Sequence, residues 1–110
     1  MTIDDIERVK EMFVNSAQLA MQAGYDAVEI HAAEGMLIDQ FLRSGSNRRE
    51  DEYGGSVENR CRFLLEIIDR VTSVIPSRMV GVKLSPVGRF NEMRDDNPKS
   101  LLDYLIPQLD

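Results

Sequence analysis

YDAVEIHAA, residues 25–33, decides the fold. Ala27, Val28 and Ile30 are apolar while Glu29 and His31 interrupt them, which is the pattern of a strand with one covered face. Helical patterns lie on both sides of it. Upstream, residues 3–23 carry Ile6, Val9, Phe13, Ala17 and Ala20 at helical spacing, with Thr2 as the N-cap and Gly24 as the stop. Downstream, Ser56 is placed to cap VENRCRFLLEIIDRVTSVI, whose buried face is expected at Cys61, Leu64, Leu65, Ile68 and Val71 before Pro76 closes the helix. RMVGVKLSP then reads as a second strand ended by Pro86. Asn97 followed by Pro98 opens a third helix through Leu101, Leu102, Leu105 and Leu109.

The order helix, strand, long loop, helix, strand, loop, helix predicts an α/β fold with a parallel sheet built from right-handed crossovers. Two strands do not finish such a fold. Both sheet edges stay open and much of each helix's apolar surface stays uncovered. The 110 residues are therefore expected to associate with copies of themselves or to be one segment of a larger domain. No internal repeat or low-complexity segment is visible.

Composition narrows the function classes. A formal net charge of −6 argues against nucleic acid, which needs clustered Lys and Arg. Arg48, Arg49, Arg60 and Arg62 do cluster, but Glu50, Asp51, Glu52 and Glu58 alternate with them, the pattern of a salt-bridged loop. No apolar run reaches the roughly 20 residues that span a membrane. The opening MTIDDIERVK lacks the basic and apolar regions of a signal peptide, and the single Cys61 forms no internal disulfide, so the cytoplasm is expected. On the apolar face of a helix, Cys61 reads as a small core residue.

In α/β folds functional groups gather where strands end and loops lead into helices. The first strand delivers His31 there, with Glu34 three residues on. The second delivers Lys83, followed by SPVGRFNEMRDDN. A histidine, a carboxylate and a lysine thus become a candidate site by position. A lone histidine at a strand end also reads as a hydrogen-bonding structural residue. His31 and Glu34 are too few ligands to close a metal sphere. Lys83, on an inward-facing strand position, is expected to need a partner or ligand, because burying an ammonium is costly. EYGGS before a helix also reads as a phosphate turn, without a G-x-G-x-x-G or a Walker lysine to support it.

The long stretch from Gly24 to Val71 resembles the Old Yellow Enzyme family of FMN-dependent oxidoreductases. The resemblance rests on VEIH, then G-x-L-x-x-Q-F-L, N-x-R-x-D-E-Y-G-G-S and E-N-R-x-R-F, all present at the family's spacing, with VGVKLSPVGRF similar to its next strand. It implies a partial TIM (β/α)8 barrel, residues 1–110 covering about strands 4 and 5 with their flanking helices. It also implies a hydride relay: NAD(P)H reduces FMN, which passes hydride to an activated alkene such as an enone. In the family a histidine and, three positions later, an Asn or His hydrogen-bond the substrate's electron-withdrawing group. A tyrosine two residues beyond protonates the α-carbon, and a cation from the fifth strand lies against the flavin's pyrimidine end.

Carried onto this sequence, the resemblance assigns His31 to the first position and Lys83 to flavin binding. Glu34 stands where Asn or His is usual, Met36 where the tyrosine is usual, and Lys83 where an arginine is usual. Ionised Glu34 accepts hydrogen bonds but donates none, and Met36 donates no proton. The resemblance leaves three readings: an ene-reductase segment, an enzyme of the same fold acting on a nitro compound or dienoyl thioester, and a non-catalytic barrel fragment that self-associates or docks to a partner.

Overall fold

The computed structural model describes residues 1–85 and 95–109. Pro86 as a strand stop, and the loop expected over residues 86–94, lie outside them. The described elements are α1 (Ile3–Gln22), β1 (Val28–Ala32), α2 (Leu37–Leu42), α3 (Val57–Thr72), a 3-10 turn (Ser77–Met79), β2 (Val80–Leu84) and α4 (Pro98–Leu109). β1 and β2 pair as a two-stranded parallel sheet. The chain divides into two compact units, Met1–Ile30 with Glu66–Val82, and His31–Leu65 with Lys83–Asp110.

Local capping sets the helix starts. At α1 the Thr2 hydroxyl accepts from Asp5 N–H at 3.1 Å while the Asp5 carboxylate accepts from Thr2 N–H at 2.9 Å, a reciprocal capping box. Gly24 ends the helix with φ +96°, a conformation that costs an L side chain energy. Asn59 N–H donates to the Ser56 hydroxyl at 3.1 Å ahead of α3, and Ser100 N–H donates to Asn97 Oδ1 at 3.1 Å ahead of α4. All three caps sit where the sequence places them. The strands are shorter than expected, because Pro76 leads into the 3-10 turn and β2 begins only at Val80.

In the first unit Ile6, Ala17, Ile30, Ile67 and Val71 are buried. The covered stripe of α3 is rotated from the expected one: Ile67 is fully buried and Ile68 only half. Lys10, unmarked by the sequence, is 1% exposed. Its ammonium meets Glu7 at 2.7 Å and Glu66 at 3.1 Å, and those two carboxylates offset the desolvation. Arg70 of α3 pairs with Glu7 and with Glu11 at 3.0 Å, so two cations and three carboxylates tie α1 to the last turns of α3. The Glu7 carboxyl is held below its ordinary value by the hydrogen bonds from Lys10 and Arg70. Elsewhere on α1, Met12 and Leu19 stay 63% exposed.

The second unit holds the long excursion, which is not structureless. α2 occupies its first part, with the Phe41 ring packed against that of Phe63 of α3, centroids 4.3 Å apart and planes tilted by 32°. The remainder is braced by side chains that bond backbone. The Asn47 amide donates to the carbonyls of Phe41 and Tyr53, Arg62 to that of Glu52, Asn59 to that of Gly54, and Arg60 to that of Leu42. Arg49 forms a two-point pair with Asp51 at 3.0 and 2.5 Å. The expectation of a salt-bridged loop holds for that pair, while Arg60 and Arg62 reach mainly for carbonyls and for groups outside the acidic run. Cys61 is fully buried and its thiol is pushed up to about 11, chiefly by burial, as befits a core residue.

Gly54 marks the tightest point of this brace. A Cβ there would lie 2.4 Å from the Arg49 carbonyl oxygen. Gly54→Ala is therefore expected to cost at least about 2 kcal/mol, because backbone rather than a flexible side chain has to move. Urea midpoints of Gly54→Ala and Gly55→Ala provide the check. Gly55 has open space around it but φ +92°, so its cost is conformational alone, about 1 kcal/mol.

Among the described residues no helix is long and apolar enough to cross a membrane.

Candidate functional site

The candidate site lies in the second unit, where β1 and β2 end. Along β1 the side chains alternate, with Ile30 and Ala32 buried and Glu29 and His31 exposed; along β2, Lys83 is exposed between half-buried Val82 and Leu84. His31 and Lys83 thus occupy the penultimate position of each strand, on its open face. The His31 imidazole makes no hydrogen bond to another described residue. Lys83 Nζ lies 3.1 Å from Glu34 Oε1, both side chains about half exposed. The structure thus brings two of the three expected residues into contact. It also corrects the expectation that Lys83 is buried: its partner is a carboxylate, and no large desolvation has to be offset.

Glu34 has a backbone that few residues of its type adopt. Its φ is +59°, and Gly35 follows at +77°. This pair of left-handed residues turns the chain sharply out of β1. Four side-chain contacts hold the turn. Glu34 N–H donates to Ser85 Oγ at 2.7 Å, and Gly35 N–H donates to Asp39 Oδ2 at 3.0 Å. The Arg43 guanidinium donates to Asp39 Oδ1 at 3.1 Å and also to the Ser85 carbonyl. Asp39 and Arg43, at opposite ends of α2, are 2% and 1% exposed. Sequence reasoning missed this pair, although an acid and a base four apart inside LIDQFLR are a legible i,i+4 signal.

A second buried cluster lies beside it. Asp95 Oδ1 accepts from Ser44 N–H at 2.6 Å and from Arg60 at 2.7 Å, while Asp96 N–H donates to the Ser44 hydroxyl at 2.8 Å. Burial pushes the Asp95 carboxyl up, but the bonds from Ser44 and the Arg60 charge outweigh it and hold the group below its ordinary value. Asp95 thereby joins the end of α2, α3 and the start of α4.

Residues 1–101 match the sequence profile of the family described as NADH:flavin oxidoreductase / NADH oxidase. The chain belongs to that family. Among its members, the probable flavin mononucleotide-dependent alkene reductase of Leishmania infantum is 46% identical over 109 residues, covering 99% of this chain and 30% of the relative. 12-Oxophytodienoate reductase 1 of Oryza sativa subsp. japonica is 44% identical over 106 residues, covering 96% and 28%. Morphinone reductase, solved in complex with tetrahydroNAD, superposes with a TM-score of 0.97 at 44% identity, over 100% of this chain and 30% of its own. The old yellow enzyme homologue from Zymomonas mobilis gives 0.96 at 39% identity, over 99% and 31%. The resemblance carried by VEIH, the EYGGS loop and E-N-R-x-R-F is thus borne out. The chain spans about 30% of the length of these family members, and its own contribution is a two-stranded parallel sheet with helices.

Proposed function

We propose that this chain is the sector around strands 4 and 5 of a TIM-barrel flavoenzyme. The protein it forms part of moves hydride from NAD(P)H, through FMN, to an activated alkene such as an enone, in the cytoplasm. One observation carries the reading: an imidazole and a carboxylate-paired ammonium stand at equivalent places on two neighbouring strands of this family's sheet. The relatives point the same way, one named an FMN-dependent alkene reductase and another solved with a nicotinamide analogue.

The residues present fit one edge of a flavin. Lys83 offers a cation with three donors on an open strand face, suited to the oxygen-rich pyrimidine end. FMN, when bound, supplies the hydride chemistry. His31 would donate a hydrogen bond to the substrate's electron-withdrawing oxygen, where negative charge develops during reduction. Glu34, beside it in sequence, accepts rather than donates while ionised, and orients a donor group instead. Met36 is exposed and has no proton to give, so water would protonate the α-carbon.

The two-stranded sheet, with both edges open among the described residues, favours a second reading, a non-catalytic barrel fragment covered by a second copy or by the remainder of a barrel. The experiment is a chimera in which this chain replaces the matching segment of morphinone reductase. A yellow chimera, bleached by NADH and recoloured by an enone, is the expected result. A folded, colourless chimera that ignores added FMN would overturn the catalytic reading. Sedimentation of the chain alone as a stable oligomer would then favour the fragment.

A further inference from the structure

We propose that Ser85 is a positioning residue for Glu34, backed by the buried Asp39–Arg43 pair. The four contacts around the β1 exit close into a ring: Glu34 N–H to Ser85 Oγ, Ser85 carbonyl to Arg43, Arg43 to Asp39, and Asp39 back to Gly35 N–H. Arg43 also reaches Ser85 Oγ at 3.4 Å. The ring joins residues as much as 51 apart in sequence and leaves the Glu34 backbone little freedom.

The consequence is directional. A left-handed residue is costly for glutamate, and nothing in the Glu34 side chain itself favours it. The conformation persists because Ser85 Oγ takes its N–H on one side and Asp39 takes the next N–H on the other. Ser85 is also two residues beyond Lys83 on the same strand end. One hydroxyl therefore fixes the carboxylate relative to the strand that carries its ammonium partner. Arg43 and Asp39, dry and mutually paired, hold that hydroxyl and the turn in register. The functional meaning of this arrangement rests on the flavoenzyme reading, in which Glu34 and Lys83 face the reaction. The geometry does not depend on it.

The test needs no flavin, so its failure is distinct from failure of the chimera. Lys83 is acylated with limiting reagent and its rate is compared by mass spectrometry with that of Lys99, an exposed lysine paired to Asp103. The three-bond amide coupling of Glu34 reports its backbone at the same time. Ser85→Ala is expected to raise the Lys83 rate about threefold relative to Lys99, as Glu34→Gln does, since a half-exposed ion pair is worth little more. The Glu34 coupling should also leave its left-handed value. Ser85→Thr, which keeps the hydroxyl, is expected to restore both. Should Ser85→Ala lose the fold, Ser85→Cys takes the same readings with a weaker acceptor of similar size. A hydroxyl-free or weakened variant with wild-type Lys83 rate and Glu34 coupling overturns the proposal, as does a Thr variant that behaves like Ala.

Discussion

Asp39→Ala is expected to destabilise the protein by about 3–5 kcal/mol, the usual cost of removing one partner from a buried ion pair. Arg43 would keep its charge at 1% exposure without its carboxylate, and the Gly35 N–H would lose its acceptor. Water does not readily compensate, because both side chains are enclosed. The paired substitution Asp39→Leu with Arg43→Met is expected to recover much of the loss, since two apolar side chains of similar volume carry no charge to desolvate. The recovery should be incomplete, because Gly35 N–H and the Ser85 carbonyl stay unpartnered in the double variant. Urea unfolding of Asp39→Leu, Arg43→Met and the double variant closes the cycle, with Asp39→Ala measured beside it. Equal losses in Asp39→Ala and in the double variant would show that the ring's backbone contacts, and not the ion pair, hold this turn.

That pair also shows where sequence reading reaches and where it stops. The caps at Thr2, Ser56 and Asn97 were legible because capping is a bond between a side chain and backbone two or three residues away. The family loop was legible because its Asn, Arg and Gly residues serve fixed backbone positions, as Asn47 does for Phe41 and Tyr53 and Gly54 does against Arg49. α2 was missed because six residues make fewer than two turns, too few for a helical period to show. Lys10 was missed because its partner Glu66 lies 56 residues away, and periodicity within α1 says nothing of α3. Lys83 is half exposed where burial is expected, since alternation along a strand gives a residue's side and not what covers it. Ser85 carried no signal at all. Its role exists only once Glu34 and Arg43, 51 and 42 residues away, are brought to it.

Glu34→Asn is expected to act in opposite directions on two classes of substrate, with little effect on stability and a large one on rate. For the backbone the change is mild. Asparagine tolerates the left-handed region better than glutamate, a gain of about 1 kcal/mol at φ +59°. Loss of the half-exposed pair with Lys83 costs about as little. The unfolding midpoint should therefore move only slightly. For the chemistry the change is large. An acceptor-only carboxylate is replaced by an amide that donates, three residues from His31, where the flavoenzyme reading places the oxygen that gains negative charge. One such donor is commonly worth about 10²–10³ in rate. The morphinone reductase chimera carrying Glu34→Asn should gain on that order in kcat/KM for a simple cyclic enone. Most of the gain should fall in kcat, because the charge it stabilises develops on the way to the transition state. Freed from its carboxylate, Lys83 adds to the effect through its full charge. Substrates that present an amine or hydroxyl donor should show the reverse, losing the acceptor that Glu34 offers. Steady-state NADH oxidation with both substrate classes separates the outcomes. If enone turnover falls while donor-bearing substrates are unaffected, the carboxylate is serving the enone in its protonated form, and the assignment of Glu34 as an acceptor has to be reversed.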